Sequence, residues 1–128
     1  MALELQYQVP VFSVRNLEEM IAFFEKLGYT NEWKYGDPVY YAGLYAGEKG
    51  ENVIHLSLKD LDNPAALYLQ IADVDEYYAH CMQQGLTALE PPKDQDYGMR
   101  DFVIIGPEQF RVTIGTELTP MSELPTHP

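Results

Sequence analysis

A chain of 128 residues lies near the usual size of one domain and is long enough for a real core. Twenty acidic residues against eight basic ones leave a formal charge of −12; such a charge repels nucleic acid and anionic membranes and attracts cationic ligands, though it also serves solubility alone. No apolar run approaches the roughly 20 residues that cross a bilayer, the start lacks the basic-then-apolar order of a leader, and the lone Cys81 leaves no internal disulfide, so a cytoplasmic protein is expected.

Alternation from Tyr7 to Val14 predicts a first strand, with Pro10 placing it at an edge or a crossing. Asn16 then caps a helix whose apolar stripe is Leu17, Met20, Ile21, Phe24 and Leu27; Glu19 completes a capping box and Gly28 ends the helix. Strand signals follow at Tyr29 to Tyr35, Val39 to Ala46 and Asn52 to Leu58, and the polar run Lys59 to Pro64 reads as a linker.

The order then repeats. Val11 to Thr30 aligns without a gap onto Tyr68 to Thr87 at an offset of 57, with identities at Glu19/Glu76, Ala22/Ala79, Gly28/Gly85 and Thr30/Thr87. Asp73 is the second cap, Val74, Tyr77, Tyr78 and Cys81 the buried stripe, and Gly85 the stop; strands are expected at Leu86 to Glu90, Met99 to Ile105 and Phe110 to Thr116. Each half reads βαβββ, an α+β chain of two tandem modules in one domain over 1–128: module one about 5–58, linker 59–65, module two about 66–116, and a tail over 117–128 that loses all periodicity from Met121. The place of Cys81 on the apolar stripe makes it a small buried hydrophobe rather than a nucleophile.

Two such halves resemble the vicinal-oxygen-chelate superfamily, which includes glyoxalase I, extradiol dioxygenases, and fosfomycin- and bleomycin-resistance proteins. The resemblance rests on Gln8 to Tyr29 (QVPVFSVRNLEEMIAFFEKLGY), Leu67 to Cys81 (LYLQIADVDEYYAHC) and Asp96 to Val112 (DYGMRDFVIIGPEQFRV), and is strongest to the bleomycin-resistance branch. It implies a curved mixed sheet with the helices outside. One departure stands out: where the family has Asp-Pro-(Asp/Glu)-Gly-Asn, this chain has Gly106-Pro107-Glu108-Gln109-Phe110, so either Gln109 takes a strained positive φ or the turn is of another type.

In the superfamily's metalloenzymes the ligands come from the first and fourth strands of each module. The matching positions here are Val9, His55, Ala66 and Thr113. One imidazole cannot hold a catalytic metal, so no metal, no cofactor and no catalytic residue is expected. Neither a Ser-His-acid spacing nor a phosphate loop is present.

Alternation from those four positions puts Val11, Ser13, Val53, Ser57, Tyr68, Gln70, Arg111 and Gly115 on the same, concave side, and Phe12, Val14, Ile54, Leu56, Leu58, Leu67, Leu69, Ile71, Val112 and Ile114 on the helix side. The mixed character of the concave side suits a small-molecule site. Trp33, Tyr35, Tyr40, Tyr41 and Tyr45 on two strands, and Tyr97 in the aromatic slot of the resistance run, suit either stacking on a planar ligand or ordinary strand packing. Whether Tyr40 or Tyr41 faces inward is open at this level. His55 fits two roles, a contact to ligand or a histidine satisfied by hydroxyls such as Ser57 or Thr113.

The candidate ligand-binding set is Trp33, His55, Ser57, Tyr68, Tyr97, Arg111 and Thr113. The resemblance implies a homodimer that sequesters a cationic, planar antibiotic such as bleomycin. The alternatives are a lyase or dioxygenase with a metal site outside this alignment, and a non-catalytic interaction module.

Overall fold

The structure, a computed structural model, describes residues 6, 8–60 and 66–118. The chain divides into two compact units, Met1–Asn63 and Pro64–Pro128. The start of the expected first strand at Tyr7, most of the expected linker 59–65, and the tail from 119 onward lie outside the described residues.

The first unit runs β1 (Val11–Val14), α1 (Leu17–Leu27), β2 (Thr30–Gly36), β3 (Val39–Tyr45) and β4 (Ile54–Leu58). Its four strands form one mixed sheet in the order β1-β4-β3-β2, with β1 parallel to β4. Helix α1 lies across β2, β3 and β4. It buries Leu17, Met20, Ile21, Phe23, Phe24 and Leu27, and the strands answer with Val14, Ala42, Leu44, Ile54 and Leu56. Each of these strand residues holds the helix-facing parity of its strand, because a pleated strand alternates sides. Leu58, the last residue of β4, is 40% exposed although its parity points it to the same side. The expected start of β4 at Asn52 is turn instead: Asn52 has a positive φ of 48° and its side chain donates to the carbonyl of Ala46 at 3.0 Å.

The second unit runs β5 (Ala66–Gln70), α2 (Val74–Gln83), β6 (Thr87–Ala88), β7 (Lys93–Asp94), β8 (Met99–Ile105) and β9 (Arg111–Glu117). Its sheet has the order β5-β9-β8-β6, with β5 parallel to β9, and β7 also pairs with β8. The strand expected over Leu86 to Glu90 is thus cut to two residues and resumes at Lys93. Pro91 and Pro92 lie between the pieces, and neither has an N–H to give to the ladder. Val74 and Cys81 of α2 are buried with Phe102, Ile104, Val112 and Ile114, and Tyr78 meets the Phe102 ring edge-on at 5.2 Å. Burial pushes the Cys81 thiol up to about 11, as expected for an inert core cysteine.

The duplication repeats at the level of single hydrogen bonds. Asn16 and Asp73 are both extended, at φ −126° and −135°, and each side chain accepts the N–H of the glutamate three residues on at 3.1 Å. At the other end Gly28 N–H donates to Glu25 and Tyr29 N–H to Phe24; 57 residues later Gly85 donates to Met82 and Leu86 to Cys81. Both glycines have positive φ, 107° and 75°, as this closure requires. These are local devices, each within four or five residues, which is why both copies keep them while the packing around them differs.

The β8–β9 turn resolves the departure at Gly106 to Phe110. Pro107–Gln109 forms a single 3-10 turn in which Glu108 and Gln109 both have positive φ, 56° and 61°. Two side-chain-bearing residues therefore occupy the left-handed region, which costs on the order of 1 kcal/mol each relative to glycine. Gln109→Gly should stabilise the chain by about 0.5–1 kcal/mol, read as a higher urea midpoint at unchanged slope.

Candidate functional site

The face of each sheet away from its helix carries the polar and aromatic residues. In the first unit Val11, His55 and Gly43 stand side by side across β1, β4 and β3, and Trp33 of β2 is opposite Gly43. Ser13, Ser57, Tyr41 and Tyr35 form the next row. Tyr41, not Tyr40, therefore faces the His55 side.

Trp33 reaches this face through a bulge. Asn31 pairs with Leu44 and Trp33 with Gly43, so Glu32 is an extra residue that reverses the parity of β2 beyond it. The Asn31 carboxamide donates to the carbonyls of both Trp33 and Gly43 at 3.1 Å, tying the irregular stretch down. The indole then lies over Gly43, where a methyl group would collide with it. It stacks on Tyr41 at 5.9 Å and 10° and meets the His55 ring edge-on at 5.0 Å. The Tyr41 hydroxyl and His55 Nδ1 are hydrogen-bonded at 2.9 Å. Within the first unit the hydroxyl that meets His55 is thus the one on Tyr41 rather than on Ser57. Trp33 remains 39% exposed, so the platform is open to solvent.

In the second unit the rows are Ala66, Arg111 and Ile105; Tyr68, Thr113 and Val103; and Gln70, Gly115 and Asp101. Asp101 is only 4% exposed. Its Oδ2 accepts the Tyr97 hydroxyl at 2.5 Å and the Tyr68 hydroxyl at 3.2 Å, and its Oδ1 accepts the Gln95 carboxamide at 3.0 Å. Gly115 makes room for the Tyr68 hydroxyl, which occupies the space a methyl there would need. Burial, then the Asp101 charge, push the Tyr68 phenol up to about 12, and burial followed by the hydrogen bond to Asp101 raises Tyr97 still further. By ladder position Asp101 stands opposite Gly115 as Tyr41 stands opposite Ser57, so the two copies place a polar group at matching points with different chemistry.

Of the residues singled out from sequence, Trp33, His55 and Ser57 share the first face and Tyr68, Tyr97 and Thr113 gather near Asp101. Arg111 is exposed on the row beyond them. Sequence reasoning named Tyr41 only as an alternative to Tyr40, and it passed over Gln95 and Asp101 itself. The signal for Asp101 was available, since it follows Tyr97-Gly98-Met99-Arg100 and alternates with the buried Phe102 and Ile104. Its neighbour Arg100 points elsewhere, forming a two-pronged pair with Asp75 of α2 and a third bond to Asp94, which holds the Asp75 carboxyl below the usual carboxylate range.

A divalent metal does not fit this donor set. The positions that the resemblance implies for metal ligands hold Val9, His55, Ala66 and Thr113, and among the described residues no three His, Cys, Asp or Glu side chains converge. Nor, among those residues, is any helix long and apolar enough to cross a membrane.

Several solved structures share the fold. A glyoxalase-related enzyme from Clostridium phytofermentans is 14% identical with a TM-score of 0.78, covering 90% of this chain and 97% of its own. A bleomycin resistance determinant encoded on the transposon Tn5 is 15% identical at 0.70, over 90% and 100%. A bleomycin-binding protein complexed with bleomycin is 17% identical at 0.68, over 88% and 99%. Among curated proteins no sequence relative matches. The family model of the Glyoxalase/Bleomycin resistance protein/Dioxygenase superfamily matches residues 7–114. With paired βαβββ units, mirrored caps and a match over most of its length, this chain belongs to that superfamily.

Proposed function

We propose that this protein binds and sequesters a small cationic or planar molecule, bleomycin being the first candidate, and leaves its ligand chemically unchanged. The observation that carries the reading is the solvent-facing platform of Trp33 stacked on Tyr41 with the edge of His55 against it. A flat heteroaromatic ring gains most from such a surface, because aromatic faces attract one another beyond their burial. Ser57 supplies a hydroxyl beside the platform, while Tyr68, Tyr97, Thr113 and Arg111 are the proposed polar contacts of the second unit. The formal charge of −12 draws a cationic ligand in and speeds its association. The resemblance that suggests bleomycin also makes a cytoplasmic homodimer the proposed working form.

Trp33 is the single tryptophan, so its emission reports the platform directly. Titrating bleomycin should change that emission saturably at micromolar concentrations, with matching calorimetric heat. No change and no heat in that range would remove bleomycin as the ligand.

A further inference from the structure

Among the described residues Asp101 is the one buried carboxyl group. The acids of the ion pairs lie instead at the surface beside a lysine or arginine: Asp60 with Arg15, Glu18 with Lys34, Glu90 with Lys93, and Asp75 and Asp94 with Arg100. The donors to Asp101 are two phenols and a carboxamide, all neutral. Taking a carboxylate out of water is costly, and neutral donors offset only part of that cost. A carboxylate offers about four acceptor positions, and three are used here.

The surroundings leave an approach to it. Tyr68 is 45% and Tyr97 48% exposed, so the buried acid is flanked by two rings with one side in solvent. Aromatic rings attract cations over their faces, and guanidinium-type cations lose their hydration more readily than an ammonium does.

We infer that Asp101, framed by Tyr68, Tyr97 and Gln95, is a subsite for a planar monocationic group of the ligand, an amidinium or guanidinium. The group would take the open acceptor position of the carboxylate by a charge-assisted hydrogen bond, roughly twice as strong as a neutral one. The inference rests on the small-molecule-binding reading only for the identity of the rest of the ligand.

Benzamidine and benzamide test it, being nearly the same shape with and without the charge. With the full-length protein near neutral pH, benzamidine should bind about tenfold more tightly than benzamide, as expected for one added charge-assisted contact. It should also shift the ring resonances of Tyr68 and Tyr97. Asp101→Asn should abolish the preference while leaving Trp33 emission unchanged. Equal affinity for the two probes, unmoved tyrosine resonances, or a preference that survives in D101N would each overturn the subsite. If D101N does not fold, the wild-type comparison of the two probes with its tyrosine shifts decides alone. A retained benzamidine preference in a protein that ignores bleomycin removes bleomycin and keeps the subsite; bleomycin binding with equal probe affinities does the reverse.

Discussion

Phe24→Ala should cost about 3–5 kcal/mol of folding stability, a large share of the roughly 5–15 kcal/mol that holds a domain of this size. Phe24 is fully buried in the third turn of α1, its ring edge-on to Phe23 at 5.4 Å and to Tyr29 at 5.1 Å. Its carbonyl accepts the Tyr29 N–H that closes the helix, so the ring sits where the chain turns from helix to β2. Removing it leaves a cavity at a fixed point of the backbone, which cannot collapse freely. The duplicated position holds Cys81, equally buried but far smaller, and Cys81→Ala should cost only about 1 kcal/mol. Urea unfolding of both variants checks the pair: the midpoint falls sharply for one and slightly for the other. Similar losses at both positions would mean that the two helices do not carry their cores as described.

Gly43→Ala should displace the indole of Trp33 and with it the platform. The added methyl falls on the ring atoms of Trp33, and the side chain is the part that can yield. Stacking on Tyr41 is then lost, Trp33 emission shifts toward that of a solvated indole, and affinity for the proposed planar ligand falls about tenfold, equivalent to losing one aromatic contact of about 1.4 kcal/mol. Overpacking of this kind also destabilises by about 1–3 kcal/mol. Emission spectra with and without ligand separate the effects. An unchanged spectrum would show that Trp33 does not lie over Gly43.

What could be read from sequence was what short-range chemistry decides. The caps at Asn16 and Asp73 and the stops at Gly28 and Gly85 each need only a side chain and a backbone group a few residues apart. The strand Met99–Ile105 was legible because the apolar, β-branched run Phe102 to Ile105 is bounded by Gly98 on one side and Gly106-Pro107 on the other. The face of Trp33 was not, because it depends on one unpaired residue, Glu32, and a bulge is a property of two strands together. The same holds for Tyr41, whose parity is settled by its pairing with Ser57. Pro91-Pro92 could have foretold the broken strand between Ala88 and Lys93, since neither residue can donate to a ladder. The partners of His55 and Asp101 come from separate strands, and no local pattern names them.

The bulge at Glu32 gives the first unit a route to new ligands. In its own sheet β2 is a terminal strand, hydrogen-bonded only to β3. Gain or loss of one residue there exchanges every side chain it presents on the open face beyond that point, yet leaves the ladders among β1, β3 and β4 in register. Few point substitutions could alter a recognition surface so widely. Within a superfamily whose members handle unrelated molecules, a single codon inserted or deleted in this strand is a short evolutionary step from one specificity to another.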